Sequence, residues 1–118
     1  MNLAEMFRHQ TDFLVLPAGQ TLFSEGETGD VMYILMSGKA KIIVHNKVVE
    51  AAEAGAILGE MAMIEDSTRS ATVTAITDCR LLTINQDRFN FLLQQTPNFA
   101  LHVMRVIAGR LRNTDATL

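Results

Sequence analysis

Residues 59–73 read GEMAMIEDSTRSATV, and this segment is the most informative stretch of the chain. It predicts a glycine-led turn, a short helix, a polar loop and a strand. Gly59 allows a backbone to approach a ligand closely, and the start of the following helix leaves N–H groups directed at an anion. Arg69 adds a planar cation that matches two phosphate oxygens, and Ser70 adds a hydroxyl group and a backbone donor. The segment therefore predicts a phosphate site.

Glu60 narrows the class of ligand. A carboxylate is badly placed beside a bare phosphate, because the two like charges repel each other. A ligand that carries both a phosphate and a hydroxyl group explains a carboxylate acceptor near an arginine donor. A ribose phosphate fits that demand.

The chain around this segment has the pattern of an antiparallel β-roll. Short β-rich runs occupy residues 13–84 and are separated by glycines. His45 and Asn46 suit a tight hairpin turn, and Gly38 suits a turn that needs a positive φ. The predicted strands are 13–16, 21–23, 31–36, 39–45, 47–52, 72–75 and 80–84.

Helices are predicted on both sides of the roll. The first ten residues have helical spacing of apolar side chains, and Asp87 is predicted to cap a helix that Pro97 interrupts. A second helix is predicted from Asn98 to Asn113, within C-terminal helices spanning 87–113. Its apolar stripe consists of Phe99, Val103, Ile107 and Leu111, widened by Leu101, Met104 and Val106.

The motifs resemble those of the cyclic nucleotide-binding domain found in the catabolite activator protein and the protein kinase A regulatory subunits. The resemblance covers nearly the whole chain, so we expect a single domain over 1–118. It implies a mostly β fold, a jelly-roll-like β-roll with an N-terminal helix and two C-terminal helices. The motifs that carry the resemblance are LPAG at 16–19, FSEG at 23–26, MYIL at 32–35, Ser37-Gly38, GEMA at 59–62 and RSA at 69–71.

The resemblance also implies roles for individual residues. Residues 59–71 correspond to the phosphate-binding cassette, in which Glu60 accepts a hydrogen bond from the ribose 2'-hydroxyl and Arg69 pairs with the cyclic phosphate. Gly59, Ser70 and Ala71 complete the cradle, with Met61 and Ala62 in the same cassette. Thr114 would contact the purine base. Ser70 and Thr114 together favour cyclic AMP as the ligand, with cyclic GMP as a weaker one.

Composition restricts the other classes of function. The net charge of −3 and the lack of a Lys/Arg cluster disfavour nucleic-acid binding, and no apolar run is long enough for a membrane helix. A single cysteine, Cys79, excludes an intrachain disulfide and is expected to be a buried thiol. The three scattered histidines lack metal-site spacing. We expect a cytoplasmic, non-catalytic protein that needs no cofactor beyond its nucleotide ligand.

Two alternatives remain open from the sequence. Arg69 and Glu60 could form a structural ion pair in a roll that binds no ligand. Such a degenerate roll would act as a protein-interaction or dimerisation module through the long C-terminal helix. In the leading interpretation that helix moves over the bound nucleotide and presents a changed surface to an unidentified protein effector, or mediates a homodimer. The acidic residues Glu25, Glu27, Asp30, Glu50 and Glu53 are predicted to be solvated.

Overall fold

A computed structural model describes residues 1–65 and 68–117 of the chain. Eight strands form two four-stranded antiparallel sheets, with short helices before and within the roll and two longer helices after it. The elements are α1 (Leu3–Met6), β1 (Leu14–Leu16), β2 (Thr21–Phe23), β3 (Met32–Ser37), β4 (Ala40–Val44), β5 (Lys47–Ala52), β6 (Ile57–Leu58), α2 (Met61–Ile64), β7 (Thr72–Ala75), β8 (Cys79–Ile84), α3 (Gln86–Gln95) and α4 (Pro97–Thr117). The predicted β-roll with flanking helices is confirmed.

The two sheets interleave strands that are distant in sequence. The first sheet has the order β1-β8-β3-β6, and the second has the order β2-β7-β4-β5. The β4–β5 hairpin closes through His45 and Asn46, whose φ angles of 50° and 65° are those of a tight two-residue turn. The hairpin turn predicted from these two residues is confirmed.

Two hydrophobic clusters lie on opposite faces of the first sheet. Alternating side chains on β3 separate them, since Ile34 belongs to the first cluster and Leu35 to the second. The first cluster packs the helices on the sheet, with Phe89 of α3 and Phe99 of α4 in edge-to-face contact at 5.9 Å between ring centroids. The second cluster fills the space between the two sheets, and Cys79 is buried in it as predicted. Burial raises the pKa of that thiol.

The helix boundaries differ from the sequence prediction. The N-terminal helix covers only Leu3–Met6 rather than ten residues. Asn85, and not Asp87, caps α3, because its side chain accepts a hydrogen bond from the backbone N–H of Arg88 at 2.9 Å. Asp87 lies inside the first turn of α3. Within the described residues, no helix is both long and apolar enough to cross a bilayer.

Candidate ligand-binding site

The backbone of Arg69 is fixed by a segment far away in the sequence. Its N–H donates to the carbonyl of Glu27 at 2.7 Å, and its carbonyl accepts from the N–H of Gly26 at 2.9 Å. Thr28 and Thr68 form an isolated antiparallel bridge beside these bonds. Arg69 lies three residues before β7, which begins at Thr72 as predicted.

The guanidinium of Arg69 is packed from several sides. It lies over the ring of Phe23 at 4.2 Å from the centroid, a favourable cation–π geometry. Its Nη1 donates to the carbonyl of Gly59 at 3.3 Å. A Cβ atom on Gly29 would collide with the guanidinium, and one on Gly59 would collide with Nη1. Both glycines are therefore needed for the observed position of the arginine.

This cation is buried and incompletely bonded. Arg69 is 8% exposed, and among the residues that the structure describes its Nε has no hydrogen-bond partner. A buried donor without an acceptor is unfavourable, and the cost is larger for a charged group. The contact with Phe23 and the hydrogen bond to Gly59 offset part of that cost, and an anion in the adjacent cavity would supply the missing acceptor.

A second arginine, Arg110 of α4, joins the site to the long helix. Its Nε and Nη2 donate to the two carboxylate oxygens of Glu50 on β5, at 3.0 and 3.1 Å. Its Nη1 donates to Oε2 of Glu60 at 2.9 Å, and Nη2 also donates to the carbonyl of Ile57 at 2.7 Å. Burial alone would lower the pKa of Arg110, but the hydrogen bonds and charges of Glu50 and Glu60 outweigh it and raise the pKa above its usual value.

Two adjoining cavities surround these groups. The first, of about 60 Å³, is lined by all seven cassette residues predicted as ligand contacts, together with Phe23, Ile42, Leu58, Thr68, Val73 and Arg110. The second, of about 180 Å³, is lined by Ile42, Val44, Val49, Glu50, Ser70, Ala71, Arg110 and Asn113. Arg110, Ser70 and Ala71 line both cavities, so a ligand could extend from one into the other.

The structure thus brings Gly59, Glu60, Met61, Ala62, Arg69, Ser70 and Ala71 to one cavity. The N–H of Ala62 donates to the carbonyl of Gly59 at 3.2 Å, which uses that donor within the turn. Thr114 lies in α4, but its side chain falls outside the described part of the chain, as do residues 66 and 67 of the cassette. The predicted base contact therefore stays a prediction.

Two features of the site differ from the sequence interpretation. Glu60 pairs with Arg110 rather than with Arg69 within the described residues, so the alternative of an Arg69–Glu60 ion pair is not what forms. Glu50 was expected to be solvated, but its side chain is only 29% exposed because it is paired with Arg110. No local sequence pattern predicts that Glu50 and Arg110 pair, because 60 residues separate them.

One protein family matches this chain over the region that holds most of the site. The family model for the cyclic nucleotide-binding domain matches residues 13–96, which include the whole roll, the cassette and α3. The chain belongs to the cyclic nucleotide-binding domain family. The likeness stated from the sequence motifs is therefore confirmed.

Relatives of this cyclic nucleotide-binding domain occur in proteins of several kinds. The chain is 31% identical over 107 residues to a CRP-like cAMP-activated global transcriptional regulator of Mycobacterium tuberculosis, covering 86% of this chain and 48% of the regulator. It is 43% identical over 75 residues to a cGMP-dependent protein kinase of Eimeria tenella, covering 64% of this chain and 8% of the kinase. A lysophospholipase NTE1 of Chaetomium globosum is 30% identical over 106 residues, which cover 86% of this chain and 7% of the lysophospholipase. The chain thus spans less than half the length of these curated relatives.

Solved structures agree with the family assignment. The catabolite activator protein of Thermus thermophilus superposes with a TM-score of 0.79 at 26% identity, covering 98% of this chain and 55% of that one. A structure described as cAMP-bound PfPKA-R superposes with a TM-score of 0.82 at 22% identity, covering 97% and 43%. At that identity the second likeness supports the fold alone.

Proposed function

We propose that this domain is a non-catalytic sensor that binds a cyclic nucleotide, with cyclic AMP preferred over cyclic GMP. The observation that carries the proposal is the buried Arg69, whose Nε has no acceptor within the described residues and which lies at a cavity wall beside Gly59. A cyclic phosphate supplies both a negative charge and oxygen acceptors to this donor. Glu60 then accepts from the ribose 2'-hydroxyl.

The second cavity is the proposed site of the purine. Apolar side chains of β4 and β5 form one wall, and Ser70 and Asn113 add polar groups to it. The M. tuberculosis relative is named as cAMP-activated and the E. tenella relative as cGMP-dependent, so the family relationship alone does not separate the two ligands. Ser70 favours cyclic AMP in this chain, and the expected preference is modest because it rests on one or two hydrogen bonds.

The proposed output is a change in α4. Arg110 joins α4 to the cassette residue Glu60. A ligand that donates a hydrogen bond to Glu60 therefore shares that carboxylate with Arg110 and alters the attachment of the helix. The exposed face of α4 would then present a changed surface to a protein partner.

The test is calorimetric titration of cyclic AMP and cyclic GMP into protein that has been unfolded, stripped of nucleotide and refolded. Arg69→Leu is expected to lose roughly 2 to 5 kcal/mol of binding free energy, because a desolvated phosphate loses its charged partner. Arg80→Leu is the matched control, since Arg80 also lies over a phenylalanine ring, that of Phe13 at 4.8 Å, but is exposed on β8. Unchanged affinity in Arg69→Leu would refute the site.

A second candidate function is dimerisation through α4. Leu101, Met104, Ala108 and Leu111 follow the three-and-four spacing of a coiled-coil seam. The three large side chains are 42%, 59% and 61% exposed, which leaves that face of the helix apolar and uncovered in the single chain. A homodimer through this seam is compatible with nucleotide binding and would also account for the helix if no nucleotide binds.

A further inference from the structure

Glu50 of β5 is not among the residues proposed to contact the phosphate or the ribose, but it lies in the site because it binds Arg110. Both of its carboxylate oxygens accept hydrogen bonds from Arg110, one from Nε and one from Nη2. Paired donation of this kind fixes the orientation of the guanidinium as well as its distance. Glu50 therefore occupies one whole edge of Arg110.

The consequence concerns Glu60. With the Nε and Nη2 edge of Arg110 held by Glu50, the contact to Glu60 in the described part of the chain is made by Nη1, which donates to Oε2 at 2.9 Å. A single end-on contact leaves Oε1 of Glu60 with its acceptor capacity for another donor. If Glu50 did not hold that edge, Arg110 could turn to form a two-point pair with Glu60 and engage both of its oxygens.

We propose that Glu50 is a positioning residue for nucleotide binding, which through Arg110 keeps one oxygen of Glu60 available to the ribose 2'-hydroxyl. This inference rests on the proposed function of the site. Glu50 acts on the ribose through Arg110. Its side chain also lines the second cavity, but the contact proposed to depend on it is the one to the ribose hydroxyl.

The test uses cyclic AMP and 2'-deoxy cyclic AMP, which differ only in that hydroxyl. Calorimetric titration of Glu50→Gln is expected to show roughly tenfold weaker binding of cyclic AMP, the effect of losing most of one hydrogen bond to a charged group. The affinity for 2'-deoxy cyclic AMP is expected to fall by a clearly smaller factor, since the analogue lacks the hydroxyl group that Glu60 accepts from and is affected by Glu50 only as part of the wall of the second cavity. Glu53→Gln is the matched control, because Glu53 follows the same strand but is exposed and pairs only at 3.9 Å with Lys39 among the described residues.

A second variant keeps the test decisive if Glu50→Gln folds poorly. Arg110→Lys replaces the fork by a point charge that cannot hold Glu50 at two points while contacting Glu60. Because Arg110 also lines both cavities, both nucleotides are expected to bind more weakly, with a clearly larger loss for cyclic AMP than for its 2'-deoxy analogue.

The other outcomes each contradict a distinct statement. Equal weakening of both nucleotides would make Glu50 a structural residue only, and unchanged binding of both would remove its role altogether. A loss seen with cyclic AMP and not with cyclic GMP would make Glu50 a contact to the base. Failure of the unmodified chain to bind either cyclic nucleotide would instead refute the proposed function, and this inference with it.

Discussion

At the scale of single residues, the site combines one incompletely bonded cation with one shared cation. Arg69 is buried and its Nε has no acceptor among the described residues, whereas Arg110 lies between two carboxylates. Burying the first costs free energy, and under the proposed function a bound cyclic phosphate would offset that cost. The second attaches α4 to β5 through Glu50 and to the cassette through Glu60. The two arginines line the same cavity but differ in role, because Arg69 has a donor available for a ligand and Arg110 holds α4 in place.

The contact between Gly29 and Arg69 leads to a prediction about binding. In Gly29→Ala the new methyl group would displace the guanidinium of Arg69 from its position over the ring of Phe23. The moved arginine loses a charge-assisted bond to the phosphate, so affinity for cyclic AMP is expected to fall roughly ten- to a hundredfold. Calorimetry measures the affinity, and a melting curve checks that the variant is folded at the temperature of the titration.

Gly109→Ala is the control for this substitution. A Cβ atom there would meet no atom within 4 Å, and the alanine should raise the free energy of unfolding by about 0.5–1 kcal/mol through its helix propensity. A loss of affinity in Gly109→Ala as large as that in Gly29→Ala would show that the collision with Arg69 is not the cause.

At the scale of elements, the cap of α3 gives a stability prediction. Asn85→Ala removes the side-chain oxygen that accepts from the N–H of Arg88, and the free energy of unfolding is expected to fall by about 1 kcal/mol. Asp87→Ala should cost only about 0.3–1 kcal/mol, since Asp87 acts through the helix dipole alone. Urea unfolding curves of both variants measure the difference, and a larger loss in Asp87→Ala would contradict the assignment of the cap.

The sequence predicts most of these elements because their signals are local. Glycines at turns and runs of β-branched residues identify seven strands to within a few residues, and the motif GEMA marks the cassette. It does not predict β6, because Ile57 and Leu58 form a strand of only two residues with no periodicity to detect. Asp87 and Asn85 are both good capping residues, and only the backbone geometry decides between them.

The sequence does not predict Glu50 and Arg110 as site residues, and the reason differs from that for β6. The cassette residues are neighbours in sequence, so a motif is enough to group them. Glu50 and Arg110 meet only because β5 and the distal part of α4 pack on the same side of the cassette. Their charges in isolation suggest solvated side chains, which is the usual state of such residues.

At the scale of the whole molecule, the apolar seam of α4 predicts an association that can be measured. If two copies pair through Leu101, Met104 and Leu111, Met104→Glu buries a charge at the centre of the interface and should produce a monomer. Light scattering at high protein concentration measures the mass of each variant.

Gln94→Glu adds the same charge on the exposed surface of α3, outside the seam, and should leave the mass unchanged. A monomeric mass for the unmodified chain would rule out the homodimer, and a dimeric mass for Met104→Glu would place the interface elsewhere.

The division of the interior into two hydrophobic clusters has a consequence for how this domain can diverge. The walls of the ligand cavity, such as Phe23, Leu58 and Val73, belong to the cluster between the sheets, whereas Phe99 and Val103 of α4 belong to the cluster on the other face. Substitutions in the second group can change how the helices pack on the roll without replacing these apolar walls, and they reach the cavities through Arg110 and Asn113 of α4. Related domains can therefore keep the same apolar pocket while the exposed surface of α4 diverges.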